Sequence, residues 1–169
     1  MPSRLRAEAI ATGETYNYLV LTEGCMYDDI LLPTDGSSST TEALDHALSI
    51  ADDKDATVHV LYVLDKRHFM AADDATTEEV RRSLEEEATR SLDDAQVRLE
   101  DEGVDCRTES LEGIPHRTII EYADREGIDM IVMGTHGKTG PARLEQLGST
   151  TERVVKNADQ PVLVVDIGD

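Results

Sequence analysis

Tryptophan is absent from the 169 residues, and phenylalanine occurs once. Lysine is limited to positions 54, 66, 138 and 156, so arginine supplies most of the 16 basic residues. No apolar run approaches the roughly 20 residues of a membrane-spanning helix, so a membrane role is not expected. The opening residues, MPSRLRAEAIATGETYNYLVLTEGC, hold no apolar stretch of signal-peptide length, and a cytoplasmic location is expected. Cysteine is limited to Cys25 and Cys106, which share no CxxC or Cys/His spacing. A disulfide framework or zinc site is therefore not expected, and free thiols suit a reducing compartment.

Negative charge is what the chain has in excess. Acidic residues number 36 against 16 basic, a formal net of -20. A surface of that sign repels nucleic acid and anionic lipid, so neither is an expected partner. The same self-repulsion is screened by concentrated salt, which predicts a halophilic protein. High charge alone would also suit a disordered chain, but regular apolar patterning argues for a folded one. The length fits a single domain with a core of its own.

Residues 1–25 read as an extension, with 26–169 as the domain. Within the extension Tyr16–Thr22 has the composition of one strand but no partner pattern. From Met26 onward strands and helices alternate. Ile30–Leu32 is a short apolar strand ending in Pro33. Ser39-Thr40-Thr41-Glu42 has capping-box spacing ahead of a helix with Ala43, Leu44, Ala47, Leu48 and Ala51 on one face. Val58, Val60, Leu61 and Val63 mark a second strand. Val80, Leu84, Ala88, Leu92, Ala95 and Leu99 form the apolar stripe of a long helix within residues 71–103. Val104–Leu111 is a weaker strand, and Pro115 suits the first turn of the helix carrying Ile119, Tyr122 and Ala123. Ile128–Met133 is a fourth strand. Ser149-Thr150-Thr151-Glu152 is a second capping box, and Pro161–Ile167 is the last strand. Such alternation predicts an open α/β sheet of parallel strands with helices on both faces.

Ligands of open α/β sheets bind beyond the carboxyl ends of the strands. Two segments fall there: Pro33-Thr34-Asp35-Gly36-Ser37 after the first strand, and Gly134-Thr135-His136-Gly137-Lys138-Thr139-Gly140 after the fourth. Gly148-Ser149-Thr150 opens the next helix, where unpaired N–H groups and two hydroxyls favour a phosphate. Gly137-Lys138-Thr139 resembles the end of a Walker A motif, but Val132 stands where its first glycine belongs. No GxGxxG follows the first strand either, so neither a P-loop NTPase nor a Rossmann dehydrogenase is supported. The histidines are His46, His59, His68, His116 and His136, and only His136 lies in a candidate loop. No Ser–His–Asp constellation follows from spacing, and helix capping accounts for Ser37 and Ser149. There is no dedicated carboxylate cage for a metal; Asp35 would meet magnesium only through phosphates.

Five segments together carry a specific resemblance: MYDDILLPTDGS, LYVLD, MGTHGKTG, GSTTERVV and QPVLVV. From Met26 to about Asp166 the chain resembles the universal stress protein family. The resemblance implies a five-stranded parallel sheet of order 3-2-1-4-5, homodimers through the last strand, and ATP across the first and fourth strand ends. It further implies that Asp35, beside Pro33 and Thr34, contacts adenine or ribose, and that Val63 and Met133 wall the adenine. Gly134, Gly137, Gly148, Ser149 and Thr150 would hold ribose and phosphates. The family motif places nine residues between its last two glycines, whereas Lys138 through Leu147 make ten. That spacing leaves two readings open: an ATP-binding stress protein with at most slow hydrolysis, and a nucleotide-free dimeric interaction module. An enzyme cleaving adenylated substrates is a third, for which no catalytic group is located.

Overall fold

A computed structural model describes residues 27–68, 74–135 and 147–166. The extension 1–25, Gly137 and His136 lie outside the described residues. In chain order the elements are β1 (Asp29–Thr34), α1 (Ser38–Lys54), β2 (Thr57–Asp65), α2 (Asp74–Asp101), β3 (Cys106–Gly113), α3 (Pro115–Glu126), β4 (Met130–Gly134), α4 (Ser149–Asn157) and β5 (Val162–Val165). All pairings are parallel, in the order β3-β2-β1-β4-β5. This is the expected order.

Ile30, Leu31 and Leu32 are almost wholly buried, because β1 is central and covered on both faces. Alternation along the strands divides the core in two. Ile30, Leu32, Val58, Val60 and Val132 face α1 and α2. Leu31, Leu61, Ile131 and Met133 face α3 and α4, against Ile119, Tyr122 and Val154. The long α2 buries Ala88, Leu92, Ala95 and Leu99 and turns its charged side to solvent.

Two helix starts differ from the capping-box reading. α1 begins at Ser38 with Ser37 at the N-cap, so Ser39–Glu42 lie inside the helix. α4 begins at Ser149 behind Gly148. His116 is the second residue of α3, just after Pro115.

The buried His59 is fully partnered. Its Nδ1 lies 3.0 Å from the Tyr122 hydroxyl and its Nε2 2.9 Å from Asp29 Oδ1. Burial raises the Tyr122 phenol to about 12, helped by Glu109 and Glu126 and opposed by Arg125 and Arg107. This network joins β1, β2 and α3 on the α3–α4 face and is structural.

Candidate nucleotide site

The order β3-β2-β1-β4-β5 places the switch point between β1 and β4, since α1 leaves β1 on one face and α4 leaves β4 on the other. Pro33 and Thr34 end β1, and Asp35 opens the turn into α1. Gly36 takes a φ of 72°, a conformation that glycine adopts without steric cost. The Asp35 carboxylate is held by its own turn: Oδ1 accepts from the Ser37 amide at 3.0 Å and from the Thr40 hydroxyl at 3.1 Å. Ser37 Oγ in turn lies 2.9 Å from Ser39 Oγ. Sequence reading singled out Asp35 but missed Thr40 as its partner; the run of hydroxyls after Asp-Gly was the available signal.

β4 supplies the opposite wall. Met133 is buried on the α3–α4 face, where Val63 of β2 packs against the same cluster. Gly134 follows and meets α1 directly. A Cβ there would stand 2.8 Å from Ser39 Cβ and 3.1 Å from the Ser39 carbonyl oxygen. The absent side chain is what lets the first turn of α1 approach the end of β4.

α4 is tied to that same end. The Thr151 hydroxyl, buried, donates to the Gly134 carbonyl at 2.9 Å. The Gly148 amide donates to the Thr135 carbonyl at 2.8 Å, and the Thr135 amide donates to Val165 at 3.0 Å. Gly148 and Thr151 thereby hold the N-terminus of α4, with Ser149 and Thr150, beside β4. The role of Thr151 was hidden in the capping-box pattern, which gives a serine or threonine no direction.

Burial raises the Tyr62 phenol, and the Asp35 charge adds to the shift. Tyr62 pairs in register with Thr34 and is buried in the cluster that faces α1 and α2. A concavity of about 460 Å³ lies beside the Asp35 turn, between α1 and α2. It shares Thr34 with the sequence-derived set but none of Val63, Met133 or Gly148. No group of three or more His, Cys, Asp or Glu side chains is arranged to hold a metal among the described residues.

Fold and site define an open α/β protein with polar backbone and hydroxyl groups gathered at its topological switch point. Comparison with known proteins gives the family. The model of the universal stress protein family matches residues 26–166, and the chain belongs to this family. It is 44% identical over 141 residues to universal stress protein MJ0531 of Methanocaldococcus jannaschii, covering 83% of this chain and 82% of that one. The solved structure of hypothetical protein MJ0577 superposes with a TM-score of 0.78 at 38% identity, covering 85% of this chain and 99% of that one. A universal stress protein solved in complex with cAMP superposes with a TM-score of 0.61 at 25% identity, covering 83% and 98%.

Proposed function

We propose that this protein binds an adenine nucleotide, ATP, across the carboxyl ends of β1 and β4, and acts as a nucleotide binder or sensor in the response to stress. One observation carries the reading: Gly134, Thr135 and Thr151 tie the N-terminus of α4 to the end of β4, against the first turn of α1. That tie supports a reading in which donors for phosphate and an acceptor for adenine or ribose share one switch point. The relative solved with cAMP supports the ligand class.

In this assignment Asp35 accepts hydrogen bonds from adenine or ribose, with Pro33 and Thr34 beside it. Val63 and Met133 wall the base. Gly134, Gly137, Gly148, Ser149 and Thr150 serve ribose and phosphates, and any magnesium is held through the phosphates. Turnover is slow or absent. The protein works in the cytoplasm as a homodimer through β5, whose Val162, Leu163 and Val164 are only half-buried in the single chain.

The test is displacement of a fluorescent ATP analogue, with no tryptophan background to subtract. Unlabelled ATP should displace the probe in wild type, and Asp35→Ala should weaken the probe's binding. The ten-residue spacing after Gly137 favours the second reading, a nucleotide-free interaction module. Folded protein that never takes up the probe would establish that alternative.

A further inference from the structure

α1 and α2 cover one face of the sheet, and a groove runs between them. Its wider part, about 460 Å³, is walled by Thr40, Thr41 and Leu44 of α1 and by Ser91, Ala95 and Val97 of α2. A second concavity, about 300 Å³, follows between Leu48 of α1 and Asp101 at the end of α2. Arg98 lines both, so the two form one path along the helices. Ser91 and Ala95, small side chains one turn apart on α2, leave the space open. Val97 on the rim is 55% exposed, on a helix whose other outward residues are mostly charged.

The path leads to the point where the chain enters the fold. Tyr27, half-buried, packs against the same cluster as Leu48 and Ile50. Residues 16–22, Tyr-Asn-Tyr-Leu-Val-Leu-Thr, precede Tyr27 by five to eleven positions. At about 3.3 Å per extended residue they can stand roughly 16–36 Å from it. The far end of the groove, at Ser37, lies beyond the six residues of β1, a distance of about 20 Å. The wider part of the groove is therefore within their reach.

Charge narrows the choice of occupant. Asp45, Asp94, Asp101 and Glu102 line the groove, and Arg98 is paired with Asp45. An acidic segment is repelled there. Residues 16–22 carry no charge, and five of the seven are aliphatic or aromatic. Asn17 and the two tyrosine hydroxyls can donate to carboxylates.

We propose that residues 16–22 of the same chain occupy the groove between α1 and α2. Seated there, they cover Val97 and brace the Asp35 turn, because Thr34, Ser37 and Thr40 line the far end. Thr40 is also the residue whose hydroxyl holds Asp35, at 3.1 Å. The contact stands apart from the nucleotide reading and needs no ligand.

The experiment uses the full chain, whose lack of tryptophan allows a single reporter. Tyr18→Trp and, separately, Leu19→Trp are made, since neighbouring side chains of an extended segment point opposite ways. At least one should show blue-shifted emission and several-fold weaker acrylamide quenching than in urea. Val97→Asp, an exposed substitution, and Ser91→Arg, which fills the groove, should each return that reporter towards its urea values. Val155→Asp, exposed on α4, should leave it unchanged, and thermal melts should show every variant folded. Solvent-exposed emission from both reporters overturns the proposal. So does burial that neither groove variant relieves, or that Val155→Asp relieves equally. Burial lost on dilution would place the segment on a second copy and overturn docking within one chain.

Discussion

The Gly148 amide donates to the Thr135 carbonyl at 2.8 Å, so the chain between these residues departs and returns at one point. The position of α4 is consequently set by this bond and by Thr151, not by the length of the intervening segment. The extra residue between Gly137 and Gly148 can be absorbed away from the site. Deleting Glu145 should leave the melting temperature and ATP affinity near wild type. A large loss of affinity on that deletion would show that the segment's length governs the site.

Thr151→Val tests the tie between α4 and β4. The variant keeps the shape but leaves the Gly134 carbonyl without its 2.9 Å donor. The cost should be about 1–3 kcal/mol in urea unfolding, with Thr151→Ser much milder. Equal stability of wild type and Thr151→Val would place the anchoring elsewhere.

Gly134→Ala tests the closeness of α1 to β4. The new methyl would stand 2.8 Å from Ser39 Cβ, and the rigid Ser39 backbone lies just behind it. A loss of about 1–3 kcal/mol is expected, with nucleotide affinity falling as the two walls part. Unaltered stability and affinity would mean that the walls are not held together here.

The network of β1, β2 and α3 predicts an alkaline limit. An ordinary tyrosine ionises near 10.0, whereas folded Tyr122 is raised to about 12. Ionisation thus favours the unfolded chain in that interval: stability is full below the lower value and declines as pH rises towards the upper. Wild type should lose stability across this window more steeply than Tyr122→Phe. Parallel profiles would contradict the assignment. At neutral pH, Tyr122→Phe should cost about 1–3 kcal/mol, because His59 Nδ1 loses its buried partner.

Sequence alone made the sheet legible because its strands are short continuous apolar runs separated by helical stripes. The strand ends then pointed to Asp35, Gly134 and Gly148. What stayed hidden was direction and long-range pairing. Five consecutive capping-type residues, Ser37 to Thr41, do not show which one starts α1. Nothing local joins His59 to Tyr122 or Asp29, which lie 63 and 30 residues away.

Charge supplies a further test. With a net of -20, self-repulsion opposes the compact state, and molar salt shortens its range to about 3 Å from about 10 Å at 0.1 M. The melting temperature should rise clearly between dilute buffer and molar KCl. The same melting temperature in both would dismiss the salt-adapted reading.

The central claim is nucleotide binding at the switch point. It is tested most directly by calorimetric titration of the full chain with Mg-ATP in molar KCl, beside Gly148→Val. Saturable heat with a dissociation constant in the micromolar range, about -8 kcal/mol, that weakens at least about tenfold in the variant is the predicted result. No heat from folded wild-type protein free of carried-over nucleotide would contradict the account.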